Sequence, residues 1–177
     1  NSKSSTPKHL VVGVGGNNSA MNLNFAKQCI GLCDSFMVTV PHYNKPTQDG
    51  ICEHFDYICN DPDISKYPVI LYNVPSRSGV NAEPSTIKKI YENCKNVVAI
   101  KEASGSIDQL IKLRSICPKL KIFAGDDKLI LDFLVHGGSG VISVASNIIP
   151  ITICELFTYD IVTASKLYYT INLPQFI

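Results

Sequence analysis

Asn96-Val97-Val98-Ala99-Ile100-Lys101-Glu102-Ala103-Ser104-Gly105 is the stretch on which the fold turns. Four consecutive apolar residues, three of them β-branched, make a strand of the kind that is buried on both faces in a parallel sheet. The strand runs directly into a lysine, and Ala-Ser-Gly then opens a turn. Desolvation disfavours an ammonium and can lower a lysine pKa by several units. Lys101 is therefore either a neutral amine able to attack a carbonyl or one half of an ion pair. The segment alone leaves both readings open.

Working outward, the same kind of strand recurs at 9–16, 35–40, 67–73, 120–124 and 140–144. Helical spacing of apolar residues separates these runs. Met21, Phe25, Cys29 and Leu32 mark a helix over 20–33, and Ile51, Phe55 and Ile58 mark one from Thr47 to Asn60. Pro84 opens a helix running to about Asn93; Leu110, Leu113 and Ile116 face inward from 107–117; a short helix spans 129–135. A last helical stretch begins near Pro150 and continues past Tyr168 and Tyr169. Six strand-helix units in strict alternation predict a parallel sheet covered by helices. A doubly wound sheet is one solution. The other is a (β/α)8 barrel, which needs about 250 residues and eight units, so six units make a barrel short of two. Polar residues follow the carboxyl ends of four strands: Tyr43, Tyr72 with Arg77, Lys101, and Gly125-Asp126. Contributions from so many strands favour the barrel. The expectation is one partial (β/α)8 domain over 1–177, equivalent to strands 3 to 8, with little of any C-terminal helical domain.

Composition narrows the function classes. Of the 177 residues 45% are hydrophobic and 18% charged, enough apolar material for a core. A net charge of +1 and the lack of a basic run argue against nucleic acid and anionic membrane surfaces as partners. The seven cysteines lie scattered through apolar segments with no CxxC pair and no metal-ligand spacing, which predicts reduced core thiols, no metal and a cytoplasmic location. No apolar run reaches membrane-spanning length. Gly13, Gly15 and Gly16 precede Asn17-Asn18-Ser19, a glycine turn between strand and helix; its spacing fits neither the Walker pattern nor GxGxxG, so a tight turn is read there and not a phosphate cradle. The chain begins at Asn1 and stops at Ile177 inside a helical pattern, from which a fragment is expected.

PHYNKPTQDG (41–50), LYNVPSRSG (71–79), IKEASG (100–105), FAGDD (123–127) and GVISVASN (140–147) occur in the order and spacing of one family. On these segments the chain resembles the dihydrodipicolinate synthase/N-acetylneuraminate lyase family of class I aldolases, which work by Schiff base on a (β/α)8 barrel. The resemblance implies that Lys101 forms an imine with pyruvate and that Tyr72 carries protons to and from it. It implies that Arg77 holds the carboxylate of the second substrate, aspartate semialdehyde, that Tyr43 enters the site of a neighbouring subunit, and that the backbone around Gly125 and Ile142 lines the pyruvate pocket. It implies no cofactor beyond the covalent lysine–pyruvate imine, and a homodimer or homotetramer. The Gly-Thr-Thr-Gly-Glu-like loop of the synthases is absent from these residues, so the 177-residue chain by itself is expected to be inactive. Asn17 corresponds to one residue of the lysine effector pocket of some synthases. Met21 stands where an acidic residue is usual and His42 where a tyrosine is, so lysine sensitivity is expected to be weak or absent. Two other functions compete: a different pyruvate aldolase, such as a neuraminate lyase or a 2-keto-3-deoxy sugar acid aldolase, and a catalytically dead barrel with a binding role.

Overall fold

The computed structural model describes residues 8–171. Its strands are β1 (Val11–Val14), β2 (Ser35–Thr39), β3 (Val69–Asn73), β4 (Val97–Glu102), β5 (Lys121–Ala124) and β6 (Gly140–Val141). The helices are α1 (Ser19–Gln28), α2 (Gln48–Cys59), α3 (Pro75–Ser78), α4 (Pro84–Asn93), α5 (Ile107–Ile116), α6 (Ile130–Val135), α7 (Pro150–Glu155) and α8 (Ile161–Ile171). All strand pairs are parallel and the strands lie side by side in chain order, β1 to β6. A doubly wound sheet reverses its strand order at a switch point, and none occurs among the described residues. Monotonic order with helical crossovers is the construction of a (β/α)8 barrel, of which six units are described.

Side-chain alternation gives the sheet two unlike faces. Phe36, Val38, Leu71, Ile100 and Ile122 are completely buried. They share one core with Ile51, Phe55 and Ile58 of α2, Ile87 and Ile90 of α4, and Leu110 and Leu113 of α5. The opposite face carries Met37, Ile70, Ala99 and Lys121 in one cross-strand row and Thr39, Tyr72, Lys101 and Phe123 in the next. One register shift sets Ala99 opposite Ile70 while Val97 still faces Val69, leaving Val98 without a partner on β3.

Local chemistry sets the element ends. The Asn18 side chain accepts from Met21 N at 3.1 Å to cap α1, and Thr47 Oγ1 accepts from Gly50 N at 3.2 Å to cap α2. Three segments differ from the sequence reading. The first helix stops at Gln28 instead of Cys33, with Gly31 in the left-handed region at φ 79°. Its buried residues are Asn22 and Ala26, while Met21, Phe25 and Leu32 point outward at 69%, 45% and 70% exposure. The final helical stretch is two helices, because the Asp160 carboxylate caps a new start, accepting from Val162 N and Thr163 N at 3.0 and 3.2 Å. The sixth strand ends at Val141, although Ile142 N still donates to Ala124 O at 2.9 Å.

Candidate active site

The register of β3 and β4 pairs Tyr72 with Lys101 and Asn73 with Glu102. Each pair projects from one face, so Tyr72 and Lys101 stand on the inner face and Asn73 and Glu102 behind it. Lys101 is 9% exposed, with Nζ 4.4 Å from the centroid of the Tyr72 ring. Burial pushes its pKa below the ordinary lysine value; Asp127 opposes that shift and Arg77 adds to it. Burial raises the Tyr72 phenol, and Arg77 partly offsets the rise. Burial thus favours the uncharged form of both groups, the free amine of Lys101 and the protonated phenol of Tyr72.

A cavity of about 240 Å³ opens over this pair, walled by Val74, Ala103, Gly125 and Asp127, with Ser76, Arg77, Asp126, Lys128 and Val144 at its rim. Arg77 is exposed on α3, a single turn begun by Pro75 and closed by Gly79 at φ 75°. Proline at the first position and glycine just past the end make 75–78 a helical platform for the guanidinium. Gly125 lies against the lysine stem. A Cβ there would stand 2.6 Å from Ala103 Cβ and 3.2 Å from Lys101 Cγ, so only glycine lets the turn after β5 close on Lys101.

Behind the site is a buried polar network with no cation in it. Glu102, 1% exposed, accepts from Ser104 N at 2.7 Å, Gln109 Nε2 at 2.9 Å and Asn73 Nδ2 at 3.1 and 3.2 Å. Asn73 Oδ1 accepts from Ala82 N, and Asn81 Nδ2 donates to Gln109 Oε1. Fully paired buried networks are rigid, and this one ties the carboxyl ends of β3 and β4 together one residue beyond Tyr72 and Lys101.

Four of the residues singled out from sequence converge on the cavity: Lys101, Tyr72, Arg77 and Gly125. Ile142 does not. It lines a separate cavity of about 450 Å³ with Ile70, Ala99 and Phe123. Tyr43 is 83% exposed at φ 69° in a loop where Lys45 also has positive φ, and it lies outside the cavity wall. Asn17 and His42 are exposed and likewise apart from it. Two residues escaped the sequence reading, Glu102 and Asp127. The signal for Glu102 was parity: next to an inward lysine, it had to point into the helix layer, where a carboxylate needs several donors. Nothing local in the sequence separates the buried Asp127 from its neighbour Asp126.

A monotonic parallel βα sheet with a buried lysine and a tyrosine at its carboxyl edge defines the class: a (β/α)8-type barrel protein with its polar site at the carboxyl ends of the strands. Residues 6–165 match the dihydrodipicolinate synthetase family, and the chain belongs to it. It is 42% identical over 166 residues to a 4-hydroxy-tetrahydrodipicolinate synthase of Endomicrobium trichonymphae, covering 90% of this chain and 56% of that protein. A synthase of Thermosipho melanesiensis is 41% identical over 169 residues, with 92% and 58% covered. Among solved structures, dihydrodipicolinate synthase from Aquifex aeolicus superposes with a TM-score of 0.88 at 32% identity, covering 95% of this chain and 58% of that one. The enzyme from Cyanidioschyzon merolae with lysine bound gives 0.85 at 35% identity, covering 90% and 55%. The chain spans somewhat more than half the length of the curated relatives it matches.

Proposed function

We propose that this chain carries the carbonyl-activating part of a 4-hydroxy-tetrahydrodipicolinate synthase, which condenses pyruvate with L-aspartate 4-semialdehyde on the route to diaminopimelate and lysine. The observation that carries the reading is the buried Lys101 amine beside Tyr72, with Arg77 at the rim of the same cavity. The curated relatives of that name support the choice of reaction. In this reading the Lys101 lone pair attacks the keto carbon of pyruvate. The carbonyl π pair moves to oxygen, which takes up protons and leaves as water, giving a cationic imine. Loss of a methyl proton makes the enamine, which forms the carbon–carbon bond to the aldehyde; the aldehyde oxygen is then protonated. The second substrate's own amine finally displaces Lys101 from the imine and closes the ring.

Tyr72 is the proton carrier for these steps, its raised pKa keeping it a donor at neutral pH. The exposed guanidinium fork of Arg77 suits a carboxylate that must enter from solvent. Nothing in the chemistry calls for a metal or cofactor, since the imine is itself the electron sink. Tyr43, turned outward, suits a role in the site of a neighbouring copy, and with it a homodimer or homotetramer. Ile142 belongs to the pyruvate pocket only through its backbone beside β5. Asn17 and His42 remain the candidates for an effector pocket with weak lysine sensitivity. The described domain would be most of one barrel, in a cytoplasmic enzyme.

The test is aldehyde preference in the whole protein. With pyruvate present, turnover with aspartate semialdehyde should exceed that with N-acetylmannosamine or a sugar aldehyde by at least about a hundredfold, the scale on which a lost charge-assisted contact discriminates. The reverse preference would replace this reading with the lyase.

A further inference from the structure

Asp127 begins a single 3-10 turn after β5, on the wall of the cavity over Lys101. It is 3% exposed. Its Oδ2 accepts from Val144 N at 2.9 Å and Ala145 N at 3.1 Å, which pins the segment after β6 against the turn after β5. That anchoring would be served equally by an amide. The other oxygen, Oδ1, is buried and has no hydrogen-bond partner among the described residues. A buried acceptor left unpaired costs about 1–3 kcal/mol, and more when charged. A carboxylate at this position therefore calls for a second reason beyond anchoring.

The charges around the cavity supply one. Lys101 is its buried cation; Arg77 and Lys128 are exposed at the rim, Asp126 is half-buried, and Tyr72 is the neighbouring phenol. Glu102, next to Lys101 in sequence, points to the opposite face and is taken up by its own donors. Among the described residues no direct ion pair joins Lys101 to a carboxylate. Asp127 is thus the buried anion on the wall of the space into which the lysine reacts, close enough to perturb it and not so close as to lock it.

We propose that Asp127 is the counter-charge of the nitrogen cation at Lys101, standing off from the ammonium in the free protein and facing the iminium once a keto acid has condensed. The second half rests on the Schiff-base reading above. An amine and a ketone take up one proton and release water to give the iminium, so a full positive charge remains on nitrogen in a desolvated site. A direct ion pair would hold the lysine protonated and block attack. A carboxylate set back across the cavity leaves the amine able to react and still stabilises the cation that results. It also offsets Arg77, which otherwise repels that cation.

The test is Asp127→Asn in the whole protein. The amide keeps an acceptor for the Val144 and Ala145 amides and removes only the charge. Without keto acid, the pH midpoint for acylation of Lys101 by an amine reagent should move down by about one unit. With pyruvate, the adduct at Lys101 trapped by borohydride should fall about tenfold, while the thermal midpoint stays near wild type. If Asp127→Asn does not fold, Asp127→Ser keeps one acceptor without charge and is read the same way. Wild-type midpoint and wild-type adduct in the folded variant would overturn the proposal and leave Asp127 as a loop anchor. If wild-type protein traps no pyruvate, the Schiff-base reading fails, and the acylation midpoint still decides whether Asp127 acts on Lys101.

Discussion

Leu71 and Tyr72, or Ile100 and Lys101, are neighbours on one strand, yet they belong to different parts of the molecule. The helix-covered face, with Phe36, Val38, Leu71, Ile100 and Ile122, is sealed completely. The inner face is half-open, polar toward its carboxyl edge, and holds the two lysines Lys101 and Lys121. Period-two alternation therefore divides labour along each strand: one face supplies cohesion, the other chemistry. The Glu102 network sits where the two meet, belonging to the first face by position and serving the second by holding its register.

Substitutions on either face break this division in opposite ways. The largest effect is expected from Tyr72→Phe on the inner face. Turnover of the whole protein should fall about 10²- to 10⁴-fold, the usual scale for a lost proton carrier, with little change in unfolding free energy. Steady-state kinetics beside a denaturation curve check both halves. Leu71→Ala, one residue away on the sealed face, should cost about 2–5 kcal/mol of stability and leave turnover per folded molecule intact. A comparable loss of turnover in folded Leu71→Ala protein would blur the distinction.

A smaller effect comes from His54, on the helix-covered side and 3% exposed, with Nδ1 2.7 Å from Ser19 Oγ. Burial lowers its pKa from 6.5 to about 4. The folded chain then binds this proton only near pH 4, whereas the unfolded chain binds it from 6.5 down. Stability is complete above pH 6.5 and is lost as pH falls toward 4, by about 2 kcal/mol at pH 5. Denaturant midpoints at pH 7 and pH 5 should differ accordingly, and His54→Gln should flatten the difference.

Much of this was legible in the sequence because strands of a parallel sheet read as short, near-continuous apolar and β-branched runs, and because the caps Asn18 and Thr47 and the helix-opening Pro84 are local signals. Strand order selected the barrel over the doubly wound sheet, and order is a long-range property that no local pattern encodes. The spacing of Met21 and Phe25 marked α1 but not its surroundings, and both are exposed: periodicity finds an apolar face but not what lies against it. Lys101, Tyr72, Arg77 and Gly125 could be named together because each lies at or just past the carboxyl end of a strand. Asp127 could not, since its burial depends on backbone amides seventeen and eighteen residues away. Ile142 lies one residue beyond the end of β6 and lines a separate cavity.

The measurement that bears most directly on the account is reductive trapping of the whole protein with isotopically labelled pyruvate and borohydride, followed by peptide mapping. Label confined to the Lys101 peptide, and absent from Lys101→Arg protein, is the predicted result. Label on another lysine, or none while aspartate semialdehyde and pyruvate are still being consumed, would contradict it.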